Sequence, residues 1–251
     1  MKYYILTGTT RGLGKALTFA LTKKGNHLVT LSRSENEVLK SYEKYKDVSH
    51  TEILVDLNDM EALKNAMEKV FSVIPDTAEG VYLVNNAGTV QPMKPIEDCT
   101  ADEIARSYQV NTVAPVALTA AFIRHTQQFD CDKKIVNISS GAGKKPYEGW
   151  SCYCGTKAAI DSFTGAVAKE QMHQEKPVGI VSFAPGVIDT GMQAEIRASK
   201  KSDFPNLERF IALKDNGELL RPEQVANVVI DLLHGSGFVQ GGILDIRTLE
   251  V

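Results

Sequence analysis

Residues 149–161 read GWSCYCGTKAAID, placing Tyr153 four residues before Lys157 with Cys152 and Cys154 on either side of the tyrosine. Residues four apart on a helix share a face, so the lysine would lie one turn from the phenol. A free phenol titrates near pH 10; a neighbouring ammonium stabilises the phenolate and lowers that value, each unit being worth about 1.4 kcal/mol. Such a pair can give a proton to a carbonyl oxygen as hydride arrives, and take it back in reverse. Ser140 ends the run KKIVNISS, 13 residues before Tyr153, and could hold that oxygen. Its neighbour Ser139 should face the other side of the strand. A zinc site on Cys152 and Cys154 fails on spacing: residues two apart on a helix diverge, and no second Cys pair or His cluster accompanies them. They read as small packing residues, and no metal site is expected.

A second chemical feature lies near the N-terminus. TGTTRGLG places Gly8, Gly12 and Gly14 between an apolar strand-like run and the first helical pattern. Glycines there let the backbone turn tightly and approach a pyrophosphate, whose charge the free N–H groups of a helix N-terminus stabilise. A plain strand-to-helix turn is the alternative. The second strand ends Leu31-Ser32-Arg33-Ser34, without the acid that would bind a ribose 2′-hydroxyl. Arg33 offers a planar fork and Ser32 a hydroxyl for a 2′-phosphate, and Arg11 in the loop adds a second guanidinium, so NADP(H) is expected over NAD(H). Asp56 at the end of the third strand is a candidate for an adenine amino group. Asn86, Ala87 and Gly88 end the fourth, with room for a cofactor ribose.

Elements in the right order are needed to bring these groups together. Strand candidates are 2–8, 27–33, 51–57, 80–88, 133–140, 178–186 and 241–247. Helical patterns intervene at 11–24, 35–46, 59–74 (with Asn58 as cap), 101–126 and 151–174, and after Arg221-Pro222. This alternation implies one α/β domain over 1–251: a Rossmann-type, doubly wound, seven-stranded parallel sheet flanked by helices. Segment 187–220, rich in Lys, Asp, Pro and Asn, is read as a long irregular insert, either a lid over the site or a surface excursion.

Bulk properties exclude several classes. The chain has 251 residues, 43% of them hydrophobic, as a full core requires. Its 28 basic and 31 acidic residues are mixed, with a net charge of −3, so nucleic-acid partners are not expected. MKYYILTG reads as a first strand rather than a signal peptide, and no apolar run is long enough to span a bilayer. Four cysteines in a chain this long suit a reducing cytoplasm. His27, beside the second strand, reads as structural.

The set TGTTRGLG, NNAG, Asn111 in NTVAP, Ser140, Tyr153-x3-Lys157 and PGVIDT resembles the short-chain dehydrogenase/reductase family over nearly the whole chain. The resemblance implies Ser140 orienting a carbonyl, Tyr153 donating the proton, and Lys157 lowering the tyrosine pKa and binding the nicotinamide ribose. It implies Asn111 holding, through its backbone, a water on the proton relay. Further cofactor contacts are implied at Thr10, Leu13, Leu57, Pro185, Gly186, Val187 and Thr190. Within the family, GW-x2-YC-x2-KAA-x-D and FAPGVIDTGMQ resemble the sepiapterin reductase branch, whose bacterial relatives include benzil reductases forming (S)-benzoin.

The branch likeness implies that the chain reduces a ketone of a cyclic or aromatic α-dicarbonyl or pterin. Asp245 in GGILDI falls near the place where sepiapterin reductases anchor the pterin; a strand-end acid is the alternative. The substrate groove should draw on 90–97, 141–150 and 187–215, including Tyr147, Trp150, Met192 and Phe204. Family members usually pair through the helices here at 101–126 and 151–174, so a homodimer or homotetramer is expected. The rival functions are a non-catalytic NADP-binding sensor, an epimerase or dehydratase, and a reductase of an unrelated ketone.

Overall fold

The computed structural model describes residues 1–42, 49–235 and 237–249. Seven parallel strands form one sheet: β1 (Lys2–Thr7), β2 (Asn26–Ser32), β3 (Ser49–Leu54), β4 (Gly80–Asn85), β5 (Asp132–Ile138), β6 (Gly179–Ala184) and β7 (Ile243–Asp245). Their order is β3-β2-β1-β4-β5-β6-β7, so the winding reverses between β1 and β4. Open α/β sheets bind ligands in the crevice at that reversal, beyond the strand C-termini.

Alternation along the strands feeds two cores. Ile5, Val29, Val81, Leu83, Ile135 and Ile180 point to one face. There they meet α3 (Met60–Ser72), α5 (Ala114–Thr126) and α6 (Ser151–Gln171). Tyr4, Leu6, Leu28, Tyr82, Val84, Val136 and Phe183 point to the other, against α1 (Gly12–Leu21) and α9 (Pro222–His234). The period of two thus decides which residues reach which helix layer. Among the described residues no helix is long and apolar enough to cross a membrane.

The strands end earlier than the apolar runs suggest. β3 stops at Leu54, β4 at Asn85 and β5 at Ile138, so Asp56, Asn86 and Ser140 lie just beyond the sheet edge rather than in it. β7 has only three residues, because Asp245 accepts from the backbone N–H of Arg247 and turns the chain into a 3-10 segment at Ile246–Thr248. The cap of α3 is Asp59, which accepts from the Ala62 N–H at 2.9 Å; Asn58 donates instead to Asp56. Of the helix expected at 35–46, α2 covers Glu37–Tyr42 and the remainder lies outside the described residues.

Two longer segments also depart from expectation. The pattern at 101–126 is broken into α4 (Ala101–Tyr108), a π-helical turn (Gln109–Val113) and α5. Pro115 supplies the reason: it has no N–H for the Asn111 carbonyl four residues back, and its ring crowds that carbonyl, so the turn widens around Asn111. The insert at 187–220 is not irregular. It contains α7 (Gly191–Arg197) and α8 (Leu207–Asp215), and its neck is closed by Leu220 N–H to Val187 O (3.0 Å) and Asp189 N–H to Leu220 O (2.9 Å).

Lys133 shows what holds the helix ends. It is buried, and its Nζ donates to the carbonyls of Thr126, Gln127, Phe129 and Lys176 at 3.1–3.3 Å, capping the chain beyond α5 and beyond α6 together. Lys133→Met would leave those acceptors unsatisfied. A loss of about 3 kcal/mol is expected, measured by urea unfolding, and an unchanged midpoint would refute the capping role.

Candidate active site

The turns after β1 and β4 are sewn together at the crevice. Thr7 Oγ1 accepts from the N–H groups of Asn86 and Ala87, both at 2.9 Å. Asn86 Nδ2 returns bonds to the carbonyls of Thr7 (2.9 Å) and Gly8 (3.1 Å). The turns touch so closely that a Cβ on Gly14 would stand 2.0 Å from Gly8 O, and one on Gly8 2.8 Å from Ala87 Cα. Gly8 and Gly12 have φ of 68° and 53°, which an L side chain rarely adopts. α1 begins at Gly12 with no side-chain cap and no acid in its first turn, leaving N–H donors free for an anion. A glycine-lined backbone cradle with uncapped N–H donors fits a pyrophosphate.

One continuous cleft of about 930 Å³ runs from this cradle to Ser140, Tyr153 and Lys157. Gly8, Thr10, Arg11, Gly12, Leu13, Ser32, Arg33, Asp56, Leu57, Asn86, Ala87, Gly88, Pro185, Gly186, Val187 and Thr190 all line it. Gly14 stands behind the loop. Arg33 is exposed at the cleft, whereas buried Ser32 donates to the Ser34 carbonyl at 2.7 Å. Arg11 does not stand beside Arg33 as a free second cation: its Nη1 pairs with Glu195 Oε1 of α7 at 3.0 Å. Val110, at the π-helical turn, also lines the cleft; its apolar side chain carries no motif by which the sequence could have flagged it.

Ser140, Tyr153 and Lys157 meet in the middle of the cleft. Because β5 ends at Ile138, that carbonyl is available and accepts from Lys157 Nζ at 2.8 Å. Ser139 turns away as the pleat requires, its Oγ toward the Lys157 carbonyl at 3.4 Å. Ser140 is extended and its Oγ accepts from the Ala142 N–H at 3.2 Å. Lys157 Nζ lies 5.7 Å from the centre of the Tyr153 ring. Burial brings the Lys157 ammonium down to about 8, against the opposing pull of Asp161.

The Tyr153 phenol is not lowered as the spacing predicts. Burial pushes it up, the Ser140 hydroxyl pulls the other way, and Cys154 adds to the rise. Desolvation of a phenolate outweighs an ammonium whose proton is directed at Ile138. Asn111 is fully enclosed: its Oδ1 accepts from Thr89 N–H (2.8 Å) and its Nδ2 donates to Thr89 O (2.8 Å) and Thr156 Oγ1 (3.2 Å). Its side chain therefore braces the loop after β4 against α6 and does not line the cleft.

The remaining wall is aromatic. Trp150 stacks on Phe204 (4.5 Å, 18°) and meets Tyr147, Tyr153 and Phe210 at 5.3–5.4 Å. Tyr147, Trp150, Met192 and Phe210 line the cleft, while Phe204 is fully buried behind Trp150 rather than in the groove. The insert supplies Met192, Phe204 and Phe210, which makes it a lid. Cys154 joins this cluster and Cys152 packs beside Cys99. Among the described residues no three His, Cys, Asp or Glu stand together.

Asp245 reaches the cleft already paired. Both its oxygens are taken by Arg247, Oδ1 by Nε (2.8 Å) and by the backbone N–H (3.1 Å), Oδ2 by Nη2 (2.5 Å). This neighbour two residues away holds the carboxyl below the usual carboxylate range. This corner therefore offers a guanidinium beside the carboxylate.

The family model of the short chain dehydrogenases matches residues 2–201. The chain belongs to the short chain dehydrogenase family. That makes it an oxidoreductase acting on CH–OH and carbonyl groups with a nicotinamide cofactor. A benzil reductase ((S)-benzoin forming) of Bacillus cereus is 45% identical over 249 residues, covering 98% of this chain and 99% of the relative. A sepiapterin reductase of Xenopus laevis is 30% identical over 253 residues, covering 96% and 94%. The crystal structure of the KRED1-Pglu enzyme superposes with a TM-score of 0.82 at 30% identity, covering 96% and 99%.

Gly149 joins the aromatic wall to the lid. Its φ is 78°, and a Cβ there would meet the Asp203 carbonyl oxygen at 2.1 Å. Gly149→Ala should displace the lid, raising KM for the ketone on the order of tenfold or more. Affinity for the nicotinamide cofactor, read by fluorescence titration, should hardly change; an unaltered KM would contradict the lid assignment.

Proposed function

We propose that this protein is an NADPH-dependent reductase of ketones in cyclic or aromatic α-dicarbonyl substrates, of the kind represented by benzil. The convergence of Ser140, Tyr153 and Lys157 beneath the wall of Trp150 and Tyr147, in one cleft with the glycine cradle, carries this reading. When bound, the cofactor supplies the hydride.

Gly8, Thr10, Gly12 and Leu13 would hold its pyrophosphate, with Arg33 and Ser32 at the 2′-phosphate. Asp56 and Leu57 would meet the adenine, Asn86, Ala87 and Gly88 the ribose, and Pro185, Gly186, Val187 and Thr190 the nicotinamide end. Arg11 would have to leave Glu195 to add its charge. Arg33 favours NADPH because a guanidinium fork matches a phosphate and no acid at the end of β2 repels it.

Ser140 Oγ orients the ketone oxygen and Tyr153 Oη gives it a proton. Lys157 Nζ stabilises the phenolate left behind and holds the nicotinamide ribose. The phenol's raised affinity for its proton suits a group that must be protonated before the reaction and need not ionise without substrate. The Asn111 backbone, in the widened turn, would hold a water that returns the proton by way of Lys157. The flat aromatic wall suits a substrate with a ring next to its carbonyl. A binding-only sensor would have no use for the phenol.

We also infer a homodimer, or a homotetramer built on it, paired through α4, α5 and α6. Tyr108 and Val113 are 39% and 41% exposed on that side. Light scattering should give at least twice the chain mass, and a monomer would discard the pairing. The free cysteines fit a cytoplasmic setting.

The decisive assay is NADPH oxidation with benzil. Turnover is expected, with NADH a clearly poorer donor. Tyr153→Phe should lower kcat by on the order of 10³-fold or more while NADPH still binds. Full activity in that variant would overturn the mechanism, and a preference for NADH would overturn the cofactor assignment.

A further inference from the structure

The substrate end of the cleft carries more positive charge than reduction of a neutral diketone requires. The chain as a whole has a net charge of −3, yet the cleft is lined by eight basic and three acidic side chains. Arg11 and Arg33 belong to the cofactor end and Lys157 lies under Tyr153. Lys144, Lys145, Arg209 and Arg247 stand around the aromatic wall. Of the acids, Asp56 is at the adenine end and Glu103 pairs with Lys94, which leaves Asp245 as the one carboxylate in the lining of this corner.

These cations are braced. Arg209 Nη1 donates to Tyr147 Oη at 3.0 Å, with its guanidinium 6.0 Å from the Tyr147 ring and 5.8 Å from that of Phe210. Lys144 Nζ donates to the Ile243 carbonyl at 3.2 Å. Arg247 is fixed by Asp245 through Nε and one Nη2 proton, and its side chain remains 66% exposed. A guanidinium has five N–H donors, so those on Nη1 and the second on Nη2 are left for a ligand. Arg247 Nη2 lies 3.5 Å from where a Cβ on Gly141 would be, directly after Ser140 in the chain. The donor is thus one residue away from the group that holds the ketone oxygen.

We propose that the native substrate is a flat 2-oxo acid, whose ketone oxygen meets Ser140 and Tyr153 while the adjoining carboxylate is held by Arg247, with Arg209 at the rim. The proposal rests on the carbonyl-reductase reading above and specifies its substrate class. The ketone carbon gains a hydride from NADPH, which is oxidised to NADP⁺. The C=O π pair moves to oxygen, which takes the Tyr153 proton, and solvent restores it. The carboxylate is unchanged, and the product is a 2-hydroxy acid. Benzil places a neutral carbonyl oxygen where the carboxylate would lie, and a guanidinium holds that oxygen less strongly.

The test compares benzoylformate, its methyl ester and benzil at saturating NADPH, in the wild type and in Arg247→Gln and Arg209→Gln. The wild type should favour the acid over the ester in kcat/KM by about tenfold or more at low salt, with the ratio shrinking as salt screens the rim. Arg247→Gln should cut that ratio about tenfold and Arg209→Gln about threefold. Arg209 is exposed, so its variant and the salt series remain informative if loss of Arg247 leaves Asp245 unpaired and the protein unstable. Equal use of acid and ester, or a ratio unmoved by both substitutions, would overturn the proposal while benzil turnover upheld carbonyl reduction. Failure to reduce any of the three would remove both.

Discussion

A reciprocal pair of hydrogen bonds between the end of β5 and the second turn of α6 sets the geometry on which the rest depends. Lys157 Nζ donates to the Ile138 carbonyl, and Ser139 Oγ donates back to the Lys157 carbonyl. A buried ammonium is costly unless its protons are met, so this clamp holds the position of the charge and of the helix together. Two residues along the strand exit, Ser140 is aimed into the cleft; one helical turn back, so is Tyr153. Asp161, one turn further on, donates nothing and accepts from Ser182 Oγ of β6 at 2.5 Å, which ties the same helix to the next strand.

Around that clamp the site is assembled from two halves with different physics. The half around the glycine loop is backbone: Thr7 and Asn86 close the contact between two turns, and glycines are needed because neighbouring atoms occupy the space a Cβ would take. The half beyond Tyr153 is side chain: Trp150 forms the centre of an aromatic stack to which the lid contributes Phe204 and Phe210. Among the described residues one ion pair joins lid to cradle, the exposed pair of Arg11 and Glu195, which is worth little in water. The lid's main attachment is therefore apolar.

Much of this was legible from residue types. The alternation of strands and helices, the glycine loop and the i, i+4 pair are local patterns, and local patterns survive into the fold because they arise from backbone periodicity. Strand ends were less legible. Apolar runs continued past Leu54, Asn85 and Ile138, where the hydrogen-bonded ladder stops although burial does not. The break at Gln109–Val113 was written in Pro115, but a proline near a helix start and one that widens a turn look alike in sequence. The two helices of the insert were hidden by a polar composition, since their apolar residues serve a lid rather than the main core.

By itself, then, the sequence determined the family, and with it oxidation and reduction at CH–OH and carbonyl groups, because the glycine loop and the i, i+4 pair that carry the likeness are local patterns in the chain. Tertiary structure alone decided which charges are free. Arg11 was spent on Glu195, 184 residues away. Asp245 was paired with Arg247, so that the corner expected to present a carboxylate presents a guanidinium beside it. Phe204 went behind Trp150 instead of into the groove. Each is a choice among partners made in space, and neither periodicity nor spacing encodes which of several reachable partners a side chain will meet.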